Sequence, residues 1–171
     1  MMDHEAMRRS DPSGPDGAPT RCMKPLDRSE ALRLLGTVSL GRIVFTEHAL
    51  PAVRPVNHLV DGEDIVVRLQ DGSALASLVT TPDAPGVVVA YEADVIDPET
   101  RLGWSVVITG YASLVAQEDG SDPYEASLVP WVQHTMTRAM RIVPDLVTGF
   151  LLDEAEQSPS RSRLPSAAAD A

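Results

Sequence analysis

Arg54, Pro55, Val56 and Asn57 interrupt an otherwise apolar, strand-like stretch from Ala52 to Val60, and Arg68 stands on the next such stretch. A proline inside a strand gives up a ladder hydrogen bond, and an arginine puts a charge on a half-buried surface. A sheet keeps such residues where something other than a neighbouring strand meets them. Two guanidinium groups on adjacent strands suit an oxyanion, because their forked donors match phosphate oxygens. The competing reading is a pair of surface arginines balancing Glu47 and Glu63, and spacing alone leaves both open.

Other groups carry weaker signals. The four histidines are His4, His48, His58 and His134. A metal site from His48, His58 and nearby acids competes with plain hydrogen bonding, the commoner state of histidines on strands and turns. Glu92, Asp94, Asp97 and Glu99 gather in one stretch, and Glu92 and Asp94 share a strand face. Paired carboxylates can exchange protons or hold a cation, but a solvated face and its turn is the commoner outcome. There is no GxGxxG, GxxxxGK[ST], GxSxG or HExxH pattern, so the dinucleotide, P-loop, hydrolase-elbow and zincin signatures are absent. A single cysteine, Cys22, excludes an internal disulfide or a multi-cysteine zinc site.

The elements that must position these groups are short. Residues 1 to 24 are rich in Pro, Gly, Ser and charge and read as a disordered arm, as do residues 153 to 171 at the other end. One domain is expected between them, over 25 to 152. Asp27 and Glu30 have capping-box spacing and open a helix that ends near Gly36. Strands follow over 41–47, 52–60 and 64–69, with a turn at His48 to Pro51 and a hairpin signal at Asp61-Gly62. Ser73 to Val79 reads as a short helix. In the strand Gly86 to Ile96, the residues Val87, Val89, Tyr91, Ala93 and Val95 alternate onto one face. Trp104 to Gln117 is a long strand with Gly110 as a bulge or bend. Residues around 124–132 are ambiguous, and Thr137 to Leu152 reads as one broken strand or two. Six short antiparallel strands with edge helices predict a small closed barrel.

The 171 residues are 43% hydrophobic, enough for a core. A net charge of −11 argues against a nucleic-acid surface. No apolar run approaches the ~20 residues that a membrane helix needs, and the first residues lack the apolar core of a secretory signal. A cytoplasmic protein is expected. Thirteen of the fourteen basic residues are arginine, Lys24 being the exception, so the folded part has no lysine inside its core to meet a phosphate.

GRIVFTEHALPAVRPVNHLVDGEDIVVRL, then GSAL, then AYEADVIDPETRLGWSVVITGYASLV, then MRIVPDLVTG resemble the pyridoxamine 5'-phosphate oxidase-like, FMN-binding split-barrel proteins, in particular the small nitroimidazole-resistance-like actinobacterial type. The resemblance implies a mainly β, antiparallel split β-barrel and a homodimer with FMN at the subunit interface. It places Arg54 at the phosphate or the ring's polar edge, and Pro55, Val56 and Asn57 along the isoalloxazine. Arg68, Ser73 and the amides around Gly72 would serve the phosphate. Trp104 and Ser105 would approach from the partner subunit, with interface packing as the alternative for Trp104. Leu69 and Ala74 stand where the family usually has Thr and Lys. Losing both donors costs on the order of 2–5 kcal/mol of phosphate binding. A flavin-dependent oxidoreductase of a small molecule follows as the expectation. The alternatives are a non-catalytic flavin carrier, sensor or stress protein, and a deazaflavin-dependent reductase, which the excess of acids over arginines disfavours. The arginine- and histidine-rich segment expected to hold pyridoxal phosphate is missing.

Overall fold

The computed structural model describes residues 21–80, 86–116, 124, 126–128 and 138–155. In chain order these form β1 (Arg21–Pro25), α1 (Arg28–Leu35), β2 (Leu40–Glu47), β3 (Leu50–Asp61), β4 (Asp64–Leu69), α2 (Ala74–Leu78), β5 (Val87–Ile96), β6 (Gly103–Leu114) and β7 (Arg138–Glu154). His4, His134, residues 1–20 of the predicted arm and 156–171 of the predicted tail lie outside the described residues, as does most of the ambiguous segment 124–132.

All strand pairs are antiparallel. The order β7-β4-β3-β2-β5-β6 closes on itself through the pairing of β6 with β7, and β1 lies outside the ring along the far end of β7. Closure removes the free edges that short strands would otherwise expose. β7 makes it possible. Its first residues pair with β4, its last with β1, and its other edge runs along β6.

Two sequence expectations change here. Residues 21–24 of the predicted arm and 153–154 of the predicted tail belong to the sheet and pair with each other: Arg21 lies opposite Glu154 and Cys22 opposite Asp153. Their polar composition hid a strand that exists only because β7 offers an edge. Residues 138–154 form one strand despite Pro144, because the register slips between Thr109 and Gly110 and leaves Asp145 as the extra residue beside the proline. Gly110 is needed there, since a Cβ would sit 2.2 Å from the Val143 carbonyl oxygen.

The alternation of β2, β4, β5 and β6 sends Ile43, Phe45, Ile65, Val67, Val89, Tyr91, Ala93, Val106 and Ile108 into the barrel. Each fully buried side chain of this size contributes about 1.5–3 kcal/mol. Val95, predicted to join that stripe, is 47% exposed at the end of β5. α1 closes the core with Ala31, Leu32 and Leu35. Asp27 caps it by accepting the Glu30 amide at 2.9 Å, while the Glu30 carboxylate turns to Arg33, so the capping box is only half formed.

Candidate functional site

β3 has two unlike halves. Residues 58–61 pair with β4, and residues 50–57 pair with β2 alone. Beyond His58, the edge of β3 that faced β4 has no strand beside it among the described residues. The His58 amide donates to the Ser39 carbonyl at 3.0 Å. That bond fixes the phase of the ladder. Even-numbered residues of β3 turn their amides toward β2, and Pro51, Val53, Pro55 and Asn57 turn theirs to the open edge. Both prolines therefore lack an N–H where no strand could have received it. The open edge keeps the N–H groups of Val53 and Asn57 and a row of carbonyls.

The predicted site residues separate about this edge. By the parity of the His58–Val67 pair, Asn57 and Arg68 both belong to the outer face of the hairpin. Arg54 shares the opposite face with Ile43, its partner on β2. The structure thus puts Arg68 on the same face as Asn57 and on the opposite face from Arg54. Arg54 donates to the Val53 carbonyl at 2.9 Å, meets Glu47 at 3.4 Å, and lies 5.9 Å over the Phe45 ring. That is the charge-balancing reading for Arg54, with one open-edge carbonyl covered in addition.

β4 runs past the fork to Leu69. Leu69 is buried in the core, so only its backbone can face a ligand. Gly72, with φ 74°, turns the chain toward α2, and left-handed backbone of this kind suits glycine. Ser73 Oγ accepts the Ala76 amide at 3.2 Å, which leaves its own O–H as a donor. Trp104 packs inside the main core at 8% exposure, which makes it an internal anchor of this barrel. Ser105 is half-buried on the outer face, between Asp94 and Phe150.

His58 is buried at 3% exposure. Its Nδ1 lies 2.7 Å from Tyr91 Oη and its Nε2 3.0 Å from the Leu35 carbonyl. The phenol has one proton and the carbonyl has none, so Tyr91 donates to Nδ1, and Nε2–H donates to Leu35. Burial lowers the His58 pKa and raises that of Tyr91. The sequence reading treated Tyr91 as core alone. The available signal was that a buried phenol needs a polar partner and that His58 has the inward parity.

The metal reading finds no support: no group of three or more His, Cys, Asp or Glu side chains converges among the described residues. The acidic stretch divides in two. Arg42 stands 3.3 Å from Glu92 and 3.4 Å from Asp94, while burial and then Asp94 raise the Glu92 pKa. Asp97 caps the β5–β6 turn through the Glu99 and Thr100 amides, each at 2.8 Å, and those bonds, Thr100 first, lower its pKa. This is a solvated face and its turn. No helix among the described residues is long and apolar enough to cross a membrane.

A closed antiparallel barrel with one half-paired strand is a defined architecture, and the comparisons with known proteins place it. Residues 27–151 match the pyridoxamine 5'-phosphate oxidase family; the chain belongs to that family, and its fold is the split barrel. It is 45% identical over 134 residues to the Mycobacterium tuberculosis protein Rv0080, covering 78% of this chain and 88% of that one. A solved FAD-binding protein from Mycobacterium smegmatis superposes with TM-score 0.57 at 28% identity, over 76% of this chain and 98% of the other. An FAD-binding protein from Mesorhizobium loti superposes at 0.58 and 17% identity, over 78% and 99%, a likeness of fold.

Proposed function

We propose that this chain binds a flavin nucleotide along the open edge of β3 and serves a flavin-dependent oxidoreduction of a small molecule. The observation that carries the reading is the one-sided half of β3. The Val53 amide and the carbonyls turned to that edge offer donors and acceptors, which suit the polar rim of an isoalloxazine ring. Pro51 and Pro55 keep a further strand from occupying the edge. Arg68, the Ser73 hydroxyl and the turn at Gly72 are the groups suited to a phosphate. Arg54 supports the edge from the other face. The bound flavin supplies hydride chemistry; the chain supplies binding, orientation and electrostatics. The relatives named for FAD make FAD a candidate beside FMN.

The working unit of this reading is a homodimer. The outer face of β5, β6 and β7 carries Val88, Val107, Tyr111, Val143, Leu146 and Phe150 at 37–61% exposure. A continuous apolar face of this kind marks an interaction surface, and Ser105 lies within it. A second reading, a reversible flavin carrier or sensor, is favoured by Leu69 and Ala74, which bring no side-chain donor to the phosphate end.

The test is a visible spectrum of the purified protein followed by titration with FMN and FAD. Binding at or below the order of tens of micromolar supports the reading; no flavin absorbance and no binding overturns it. Reduction of bound flavin by a nicotinamide donor separates the oxidoreductase from the carrier. Sedimentation velocity gives the oligomeric state, and Leu146→Asp is expected to yield monomers.

A further inference from the structure

His58 is the residue at which β3 loses its second neighbour. Its backbone bonds toward β2 through Ser39 and pairs with Val67 on β4. Its side chain ties two further elements: α1 through the Leu35 carbonyl and β5 through Tyr91. Four elements are therefore fastened at one residue, next to Asn57. The far end of the chain lies behind the open segment. A Cβ on Gly41 would fall 2.2 Å from Tyr91 Oη, so the glycine admits the phenol, and Gly41 is the β2 partner of Val56. The two rings meet edge to face, with centroids 5.2 Å apart, which fixes the imidazole's orientation as well as its tautomer.

We propose that the buried Tyr91–His58–Leu35 chain is a positioning device. It sets the course on which residues 51–57 leave β4, and with it the aim of the groups on the open edge. His58 and Tyr91 touch no ligand in this arrangement; they act through the backbone of β3. The inference rests on the flavin reading for its consequence, but its structural content stands apart from it. A histidine needed only for core filling would be replaced by an apolar side chain without penalty to the edge. Here both ring nitrogens are used, each toward a different element, and the donor–acceptor order permits one tautomer.

The experiment compares the full chain with Tyr91→Phe, which keeps the ring and removes the hydroxyl, and with His58→Gln. The glutamine amide can accept from Tyr91 and donate to Leu35. Two quantities are read: the dissociation constants of FMN and FAD, and amide exchange at Arg54 and Val56, whose N–H groups face β2, against exchange at Ile65 to Val67 in β4. Tyr91→Phe is expected to weaken flavin binding about tenfold or more and to speed exchange at Arg54 and Val56 while the β4 amides hold. His58→Gln is expected to stay within about threefold of the original affinity. Unchanged affinity and unchanged exchange in Tyr91→Phe would overturn the proposal, as would equal loosening of β3 and β4. If the unmodified protein binds no flavin, the flavin reading falls, and selective exchange at Arg54 and Val56 alone decides whether the device exists.

Discussion

The two halves of β3 belong to one continuous strand, yet they tolerate different residues. The half-strand 58–61 is held on the β4 side, and its side chains His58, Leu59 and Val60 are buried or half-buried. The half-strand 50–57 is held by β2 alone and contains two prolines and an exposed arginine. What differs is whether the second edge is used. A backbone edge without a second strand can hold prolines at no cost in ladder bonds, and those prolines in turn keep a strand off it.

Proline placement breaks or sharpens that contrast most strongly. Leu59 has the same amide phase as Pro55, but its N–H points at β4. Leu59→Pro removes a ladder bond and strands a buried carbonyl, at a cost of about 3 kcal/mol or more; thermal or urea unfolding reads it. Gly41→Ala comes next. The new methyl meets the buried phenol and the Glu92 carbonyl behind the open half, and overpacking of this kind costs about 1–3 kcal/mol.

The third expectation is a pH dependence. The folded-state pKa of His58 is lowered by burial, so the unfolded chain takes the proton more readily. The stability that neutral His58 provides is present above its ordinary pKa near 6.5 and is lost as pH falls below it. Melting curves between pH 8 and 5 are expected to fall, and His58→Gln to flatten the fall. A flat profile in the unmodified protein would contradict the buried neutral imidazole. Glu92, whose pKa is raised, acts with the opposite sign and is removed from the comparison by taking the difference between the two proteins. The smallest effect is Pro55→Ala. It restores an N–H that no strand receives and loosens the unfolded chain, so stability drops by no more than about 1 kcal/mol. In flavin titrations Arg68→Ala is expected to weaken binding more than Arg54→Ala does, because Arg68 lies on the face of the hairpin that leads to Gly72 and Ser73, and Arg54 lies on the other.

Much of this was legible in the sequence, and the exceptions have physical causes. Period-two alternation placed β2, β4, β5 and β6, and Gly110 announced the bulge. β1 was hidden because its polar residues form a strand only on the edge that β7 lends. Pro144 suggested a broken strand because the bulge that accommodates it belongs to the pairing with β6, a contact between distant residues. The two arginines were expected together because both flank one hairpin. Parity decides otherwise: Arg68 shares the outer face with Asn57, so Arg54 turns to the other face. The RPVN segment was recognised, but the reason it can sit in a strand is that β3 pairs with β4 only from His58 onward, so residues 50–57 have β2 as their one neighbour.

β7 also sets when this protein can fold. It pairs with β1, β4 and β6, and every other strand of the ring precedes it in the chain. A nascent chain that has emerged only through β6 holds an open sheet with two uncovered edges. Ring closure waits for the last strand, which also brings β1 into the sheet by joining residues as far apart as Arg21 and Glu154. Long-range antiparallel closure of this kind makes folding slow and leaves β4 and β6 exposed to wrong partners in the interval. The strand that closes the ring is thus also the strand for which the whole barrel must wait.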